Sequence, residues 1–157
     1  MPITPGTICS ASPSMNDPHF IGADIFIAEY NEQGAMGFII NKIFERPLNA
    51  LTEFAGSPAF PLYTGGPVDN EHLFFLHRRN DLIPGGTLLD NEVYLGGDFK
   101  QAIAYINDKT LGQAGIKIFI GYCGWDRGEL EAEIEEGSWL LKAPNSDLVF
   151  GKSLSLF

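Results

Sequence analysis

The sequence predicts a single α+β domain, and three observations carry that prediction. Two apolar, β-rich runs at residues 21–30 and 35–42 are separated only by Asn31-Glu32-Gln33-Gly34, the pattern of a hairpin. Further β-rich runs recur along the chain with turn residues between them, while helical periodicity is confined to a few separate stretches. Strands and helices therefore segregate, unlike the regular alternation of a parallel βαβ sheet. The chain has 157 residues, close to the commonest domain size, and no repeat, low-complexity tract or long linker divides residues 1–157.

In order, residues 2–18 carry four prolines with Ser and Asn and read as extended and turn-rich, with Ile8 opening a short strand. The hairpin strands lack strict alternation, so both of their faces are expected to be covered. Residues 46–54 place Pro47 in a first turn and apolar side chains at Leu48, Leu51 and Phe54, which predicts a short helix closed by Gly56. Residues 60–64 lead into the turn Gly65-Gly66-Pro67-Val68. Residues 73–77 form a strand and residues 91–95 a weaker one. Asp98 caps a helix that shows Phe99, Ala102, Ile103 and Ile106 on one face. Residues 116–122 form the last strong strand. A second helix is expected from Asp126, with Glu129 completing a capping box, Leu130 and Ile134 buried, and Gly137 at its end. Residues 139–141 and 148–150 read as short closing strands.

Charge narrows the function classes. Ten basic residues stand against twenty acidic ones, for a formal charge of −10. Such a field repels phosphate backbones and anionic lipid, so direct nucleic-acid and membrane binding are disfavoured. A DNA-binding reading would need Lys42, Arg46, Arg78 and Arg79 to gather on one surface. Cys9 and Cys123 have no metal or redox spacing, and the N-terminus lacks the charged and apolar blocks of a signal peptide. The expected compartment is the cytoplasm.

Several motifs admit chemistry beside a structural reading. Gly65-Gly66-Pro67 lacks the Lys and Ser/Thr of a phosphate loop and reads first as a tight turn. Cys123 precedes a helix start, an environment that lowers a thiol pKa; His77 would be its base and Asp98 the orienting group. The competing reading is a buried, inert thiol. Five glutamates between Glu129 and Glu136 give an acidic face that is either solvated or meets a basic partner. The histidines His19, His72 and His77 show no metal-ligand spacing, and no metal or cofactor is expected.

Taken in order, Pro13-Ser14-Met15-Asn16-Asp17-Pro18-His19-Phe20, Gly34-Ala35-Met36-Gly37-Phe38-Ile39-Ile40-Asn41, Gly65-Gly66-Pro67-Val68, Leu76-His77, Gly121-Tyr122-Cys123-Gly124-Trp125 and Glu129-Leu130-Glu131-Ala132-Glu133-Ile134 resemble the YqgE/AlgH family of bacterial proteins. The resemblance spans nearly the whole chain. It implies a mixed, largely antiparallel, bifurcated sheet closing into a pseudo-barrel, with a few helices packed on it. The family is largely uncharacterised; some members carry the label of transcriptional regulator, and no catalytic residues carry over. This chain departs from the family pattern at Glu129, where Gln is usual, at Tyr30, where His is common, and at Cys123, where a small residue is usual.

These readings favour a cytoplasmic binding or regulatory module that acts through an unidentified protein or small molecule. Its candidate face comprises Gly65, Gly66, Pro67, His77, Asp98, Tyr122, Trp125, Asp126 and Glu129. The alternative is a small hydrolase-like enzyme with a polar cleft around His77, Asp98 and Asp126.

Overall fold

The last strong apolar run of the sequence becomes the spine of the molecule. The computed structural model describes residues 2–90 and 92–151. Its strands are β1 (Ile8–Ala11), β2 (Asp24–Asn31), β3 (Gly34–Ile39), β4 (Leu62–Thr64), β5 (Val68–His77), β6 (Thr87–Asp90), β7 (Val93–Leu95), β8 (Ile116–Asp126) and β9 (Trp139–Lys142). Among the described residues three α-helices accompany them: α1 (Phe99–Asn107), α2 (Glu129–Glu135) and α3 (Ser146–Phe150). Among the described residues the strands form one sheet in the order β6-β7-β5-β8-β3-β2-β1-β9, with β4 joined to β8 off that path.

One edge of β8 is paired with β5, and its other edge is shared. Residues 118–120 pair in parallel with β4, and residues 123–126 pair antiparallel with β3. The sheet therefore bifurcates at the middle of β8. It stays open, because no ladder joins β6 to β9 among the described residues. It nevertheless curls: Ile8 of β1 and Val93 of β7, from opposite ends of the strand order, enter one buried cluster.

Gly121 marks the fork. Ile116, Ile118 and Ile120 point to the α1 side, where they meet Ala102 and Ile106. Phe119 points inward and stacks on Phe38 with ring centroids 4.8 Å apart. Strict alternation would send Gly121 inward next, yet Tyr122 packs against the inner cluster and Cys123 joins Trp125 and Leu130 on the α2 side. The alternation slips by one residue at Gly121, which adopts a left-handed φ of +76° where the β5–β8 register shifts between the Val68–Tyr122 and Leu73–Ile120 pairs. A Cβ there would also fall against the carbonyl oxygens of Gly66 and Val68.

The hairpin, the strands opening at Ile8 and Trp139, and the Asp98-capped helix form as the sequence predicts. Asp98 Oδ1 accepts the Gln101 amide at 3.0 Å. Other elements differ. Residues 46–54 hold two 3₁₀ turns, Leu48–Ala50 and Thr52–Phe54, split by Leu51 in extended backbone. Their apolar spacing of three matches the 3₁₀ period, so the single short helix expected there is two separate 3₁₀ turns. Residues 148–150 are helical: Asn145 caps them by accepting the Asp147 amide at 3.0 Å, and Val149 and Phe150 are buried. The strand β8 runs on to Asp126, so Gly128 and not Asp126 is the N-cap of α2. Half of the capping box survives, because Glu129 Oε1 accepts the Asp126 amide at 2.6 Å. Finally, β4 and β6 are strands where only connections were foreseen, and the weak strand expected at 91–95 begins at Val93, with Asn91 outside the described residues.

Candidate functional site

The fork in the sheet leaves space that glycine alone fits. Gly65 continues the line of β4, donating its amide to Ile120 O at 2.8 Å and accepting the Ile39 amide at 2.8 Å. It thereby stitches β3 to β8 across the split. A Cβ at Gly66 would overlap the Tyr122 carbonyl and the Cys123 nitrogen, so the two backbones lie in direct contact. Gly65-Gly66-Pro67 is therefore not the tight turn that the sequence indicated: it bends only at Pro67, neither glycine has a positive φ, and the two glycines serve close backbone approach instead.

On the outer side of this segment lies a groove of about 240 Å³. It is lined by His19, Ile39, Lys42, Thr64, Gly66, Pro67 and Asn70. Three of the segments that carry the family resemblance, at 13–20, 34–41 and 65–68, meet here, and the segment at 121–125 backs them through Tyr122 and Cys123. Among the described residues the lining holds a lysine, an imidazole, a hydroxyl and an amide, and no carboxylate. His19 Nδ1 lies 3.2 Å from Asp17 Oδ1 just outside it.

The nine candidate residues do not form one face. Gly66 and Pro67 line the groove, Gly65 lies beneath them, and Tyr122 backs Gly66 while its ring packs edge-on against Phe74. Trp125 is buried in the α2 cluster, and Asp126 and Glu129 are exposed beyond it. His77 is fully buried at the opposite end of β8, opposite Ile116. Asp126 lies ten residues farther along that strand, roughly 30 Å away at the usual rise per residue. The polar cleft around His77, Asp98 and Asp126 is therefore not assembled.

The chemistry of each candidate agrees with that dispersal. His77 Nε2 lies 2.9 Å from Gly96 O, and His77 Nδ1 accepts the Arg79 amide at 3.2 Å. With its donor and acceptor both used, the ring is a neutral structural bridge, and burial holds its pKa below the ordinary value. The Asp98 carboxylate is committed to the α1 cap. Burial pushes the Cys9 and Cys123 thiols up to about 12. Cys123 faces the Gly65 carbonyl at 3.4 Å, an inert buried thiol and not an activated nucleophile.

Two of the four basic residues that a DNA-binding surface would need, Arg78 and Arg79, are also occupied. Arg78 donates to the carbonyls of Ala114 and Gly151 and lies near Glu92 and Asp147. Arg79 forms a two-point contact with Asp81 at 2.9 Å. Among the described residues no three His, Cys, Asp or Glu side chains gather as metal ligands would, and no helix is long and apolar enough to cross a membrane.

Thr64 at the end of β4 and Asn70 near the start of β5 carry no signal in the sequence that marks them as groove residues. In the sequence, His19 shows no metal-ligand spacing and stands out otherwise only within the segment 13–20 that carries the family resemblance, and Lys42 stands out only as one residue of a possible DNA surface. Sequence reasoning passed over Lys117, whose signal was legible: a charged residue inside Ile116-Lys117-Ile118-Phe119-Ile120, on the same face as the fully buried Phe119.

The sequence profile of the family described as AlgH-like matches residues 8–156. The UPF0301 protein of Chlorobaculum tepidum is 37% identical over 149 residues, covering 94% of this chain and 79% of the relative. That of Parabacteroides distasonis is 35% identical over 144 residues, covering 90% and 73%. The solution structure of the AlgH protein from Pseudomonas aeruginosa superposes with a TM-score of 0.77 at 28% identity, covering 96% of this chain and 82% of that one. A crystal structure of protein DIP2367 from Corynebacterium diphtheriae gives 0.79 at 22% identity, over 99% and 83%, a likeness of fold.

Proposed function

We propose that this chain, which belongs to the AlgH-like family, is a cytoplasmic binding module that receives a small molecule bearing an anionic group in the groove beside Gly65-Gly66-Pro67. One observation carries the reading. In a chain of formal charge −10, the groove lining brings together Lys42, His19, Thr64 and Asn70 and, among the described residues, contains no carboxylate. A lysine ammonium supplies a charge-assisted hydrogen bond to an anion, and a hydroxyl and an amide supply neutral partners that fix its orientation. The volume of about 240 Å³ suits an anionic head with a small attached group.

The dispersal of His77, Asp98, Asp126 and Cys123 supports binding over hydrolysis, because a nucleophile and base must sit within hydrogen-bond reach. The engagement of Arg78 and Arg79 by carboxylates and carbonyls supports a small ligand over a DNA backbone. Under this reading, any regulatory role follows ligand occupancy. Two free, buried thiols support a reducing compartment.

Amide chemical shifts recorded during titration with inorganic phosphate test the site. The expected result is saturable shifts at Gly66, Asn70 and His19. Shifts that never saturate and scatter over the surface lysines would overturn it.

A further inference from the structure

The segment at 39–43 separates two hollows. Ile39 and Lys42 face the groove described above, whereas Ile40, Asn41 and Ile43 line a different cavity of about 460 Å³. Thr64 and Tyr63 of β4 divide in the same way. The second cavity opens where α3 lies over the mouth of the curled sheet. Its walls include Ile43, Phe60, Pro61, Leu148 and Phe150, and its volume falls within the ordinary range for a small-ligand site.

Lys117 enters this apolar space from β8. Its Nζ donates to Ile40 O at 2.7 Å and sits 4.1 Å from the centroid of the Tyr63 ring. A lysine ammonium has three donors, and these two contacts do not include a counter-charge. No carboxylate lies within ion-pair distance of Lys117 among the described residues. The one acidic side chain in the lining, Asp147, is turned toward Arg78 at 3.8 Å. Burial lowers the Lys117 pKa to about 8, which still leaves the amine mainly protonated at neutral pH. A partly buried cation without an anion is costly, and it draws an anion to the site.

We propose that this cavity binds a small monocarboxylate with an apolar tail, its carboxylate paired with Lys117 and its tail laid against Phe60, Leu148 and Phe150. The site is separate from the phosphate-sized groove, and its ligand class follows from the combination of largely apolar walls with an ammonium that has no carboxylate within ion-pair distance among the described residues.

Octanoate is a direct probe, with octanol and octylammonium as ligands of the same tail and different head. Calorimetry or NMR titration of the wild-type protein should give saturable octanoate binding. Octanol should bind at least tenfold more weakly, and octylammonium should not compete. Lys117→Met, with folding checked by circular dichroism, should weaken octanoate at least tenfold, and Lys117→Arg should recover part of the loss. Equal affinity for octanol and octanoate, absence of octanoate binding, or full affinity in a folded Lys117→Met would overturn the proposal. The comparison of heads on the unmodified protein holds even if Lys117→Met does not fold.

Discussion

Trp125 and Trp139 meet edge to face, with ring centroids 6.3 Å apart and planes at 82°, and both indole N–H groups donate to Oε1 of Glu133. The distances are 3.1 Å and 2.9 Å. Phe20 packs on both rings. One carboxylate thereby joins β8, α2 and β9, and the aromatic contact ties in the segment that carries His19 toward the groove. Glu133 belongs to the acidic run, but its role is internal.

Replacement of Glu133 separates that role from charge. Glu133→Leu leaves two indole donors unsatisfied and should cost about 2–4 kcal/mol in urea unfolding. Glu133→Gln keeps an acceptor at the same place and should cost about 1 kcal/mol or less. Equal losses for the two would show that the shared hydrogen bonds contribute nothing.

Gly66 and Gly56 make a second paired test. A Cβ at Gly66 overlaps the backbone of Tyr122 and Cys123, whereas one at Gly56 meets nothing within 4 Å. Gly66→Ala should therefore lower the unfolding free energy by about 2 kcal/mol or more, with local displacement at the fork. Gly56→Ala should stay within about 0.5 kcal/mol of the parent in the same denaturation series.

The buried imidazole predicts a pH dependence. The pKa of His77 is held below its ordinary 6.5 by burial, so the unfolded chain takes up the proton more readily than the folded one. The contribution is fully favourable above pH 6.5 and is lost as pH falls below that value. Between about pH 7 and pH 5, wild-type melting temperature should fall more steeply than that of His77→Gln. Parallel curves for the two proteins would contradict the assignment.

The thiols give a chemical readout. Cys9 and Cys123 are buried and raised to about 12, so a thiol reagent at pH 8 should leave the native protein essentially unlabelled. The same reagent should count both thiols after denaturation. Rapid labelling of native Cys123 would restore the nucleophile reading that its burial argues against.

Much of the fold was legible because local chemistry agreed with tertiary demand. The hairpin, the Asp98 cap and the apolar periodicity of α1 all act within a few residues. What escaped depended on distant partners. The three residues of β4 become a strand only because β8 offers its free edge at residues 118–120. Residues 148–150 carry strand-like side chains but follow Asn145, whose cap and whose burial of Val149 and Phe150 favour helix. The groove was half legible. Gly65, Gly66 and Pro67 announced a special backbone, but His19, Lys42, Thr64 and Asn70 converge through the fork at Gly121, and a fork has no sequence periodicity. His77 and Asp98 misled because residue type alone does not reveal that a histidine or aspartate is already occupied.

The most direct test of the central claim is the dissociation constant for inorganic phosphate of the wild-type protein and of Lys42→Met, measured at one pH and one low ionic strength. Lys42 is exposed at the groove, so its replacement should leave unfolding unchanged. Loss of a charge-assisted hydrogen bond should weaken phosphate by about tenfold or more. Equal affinity in the two proteins would contradict the groove as the anion site.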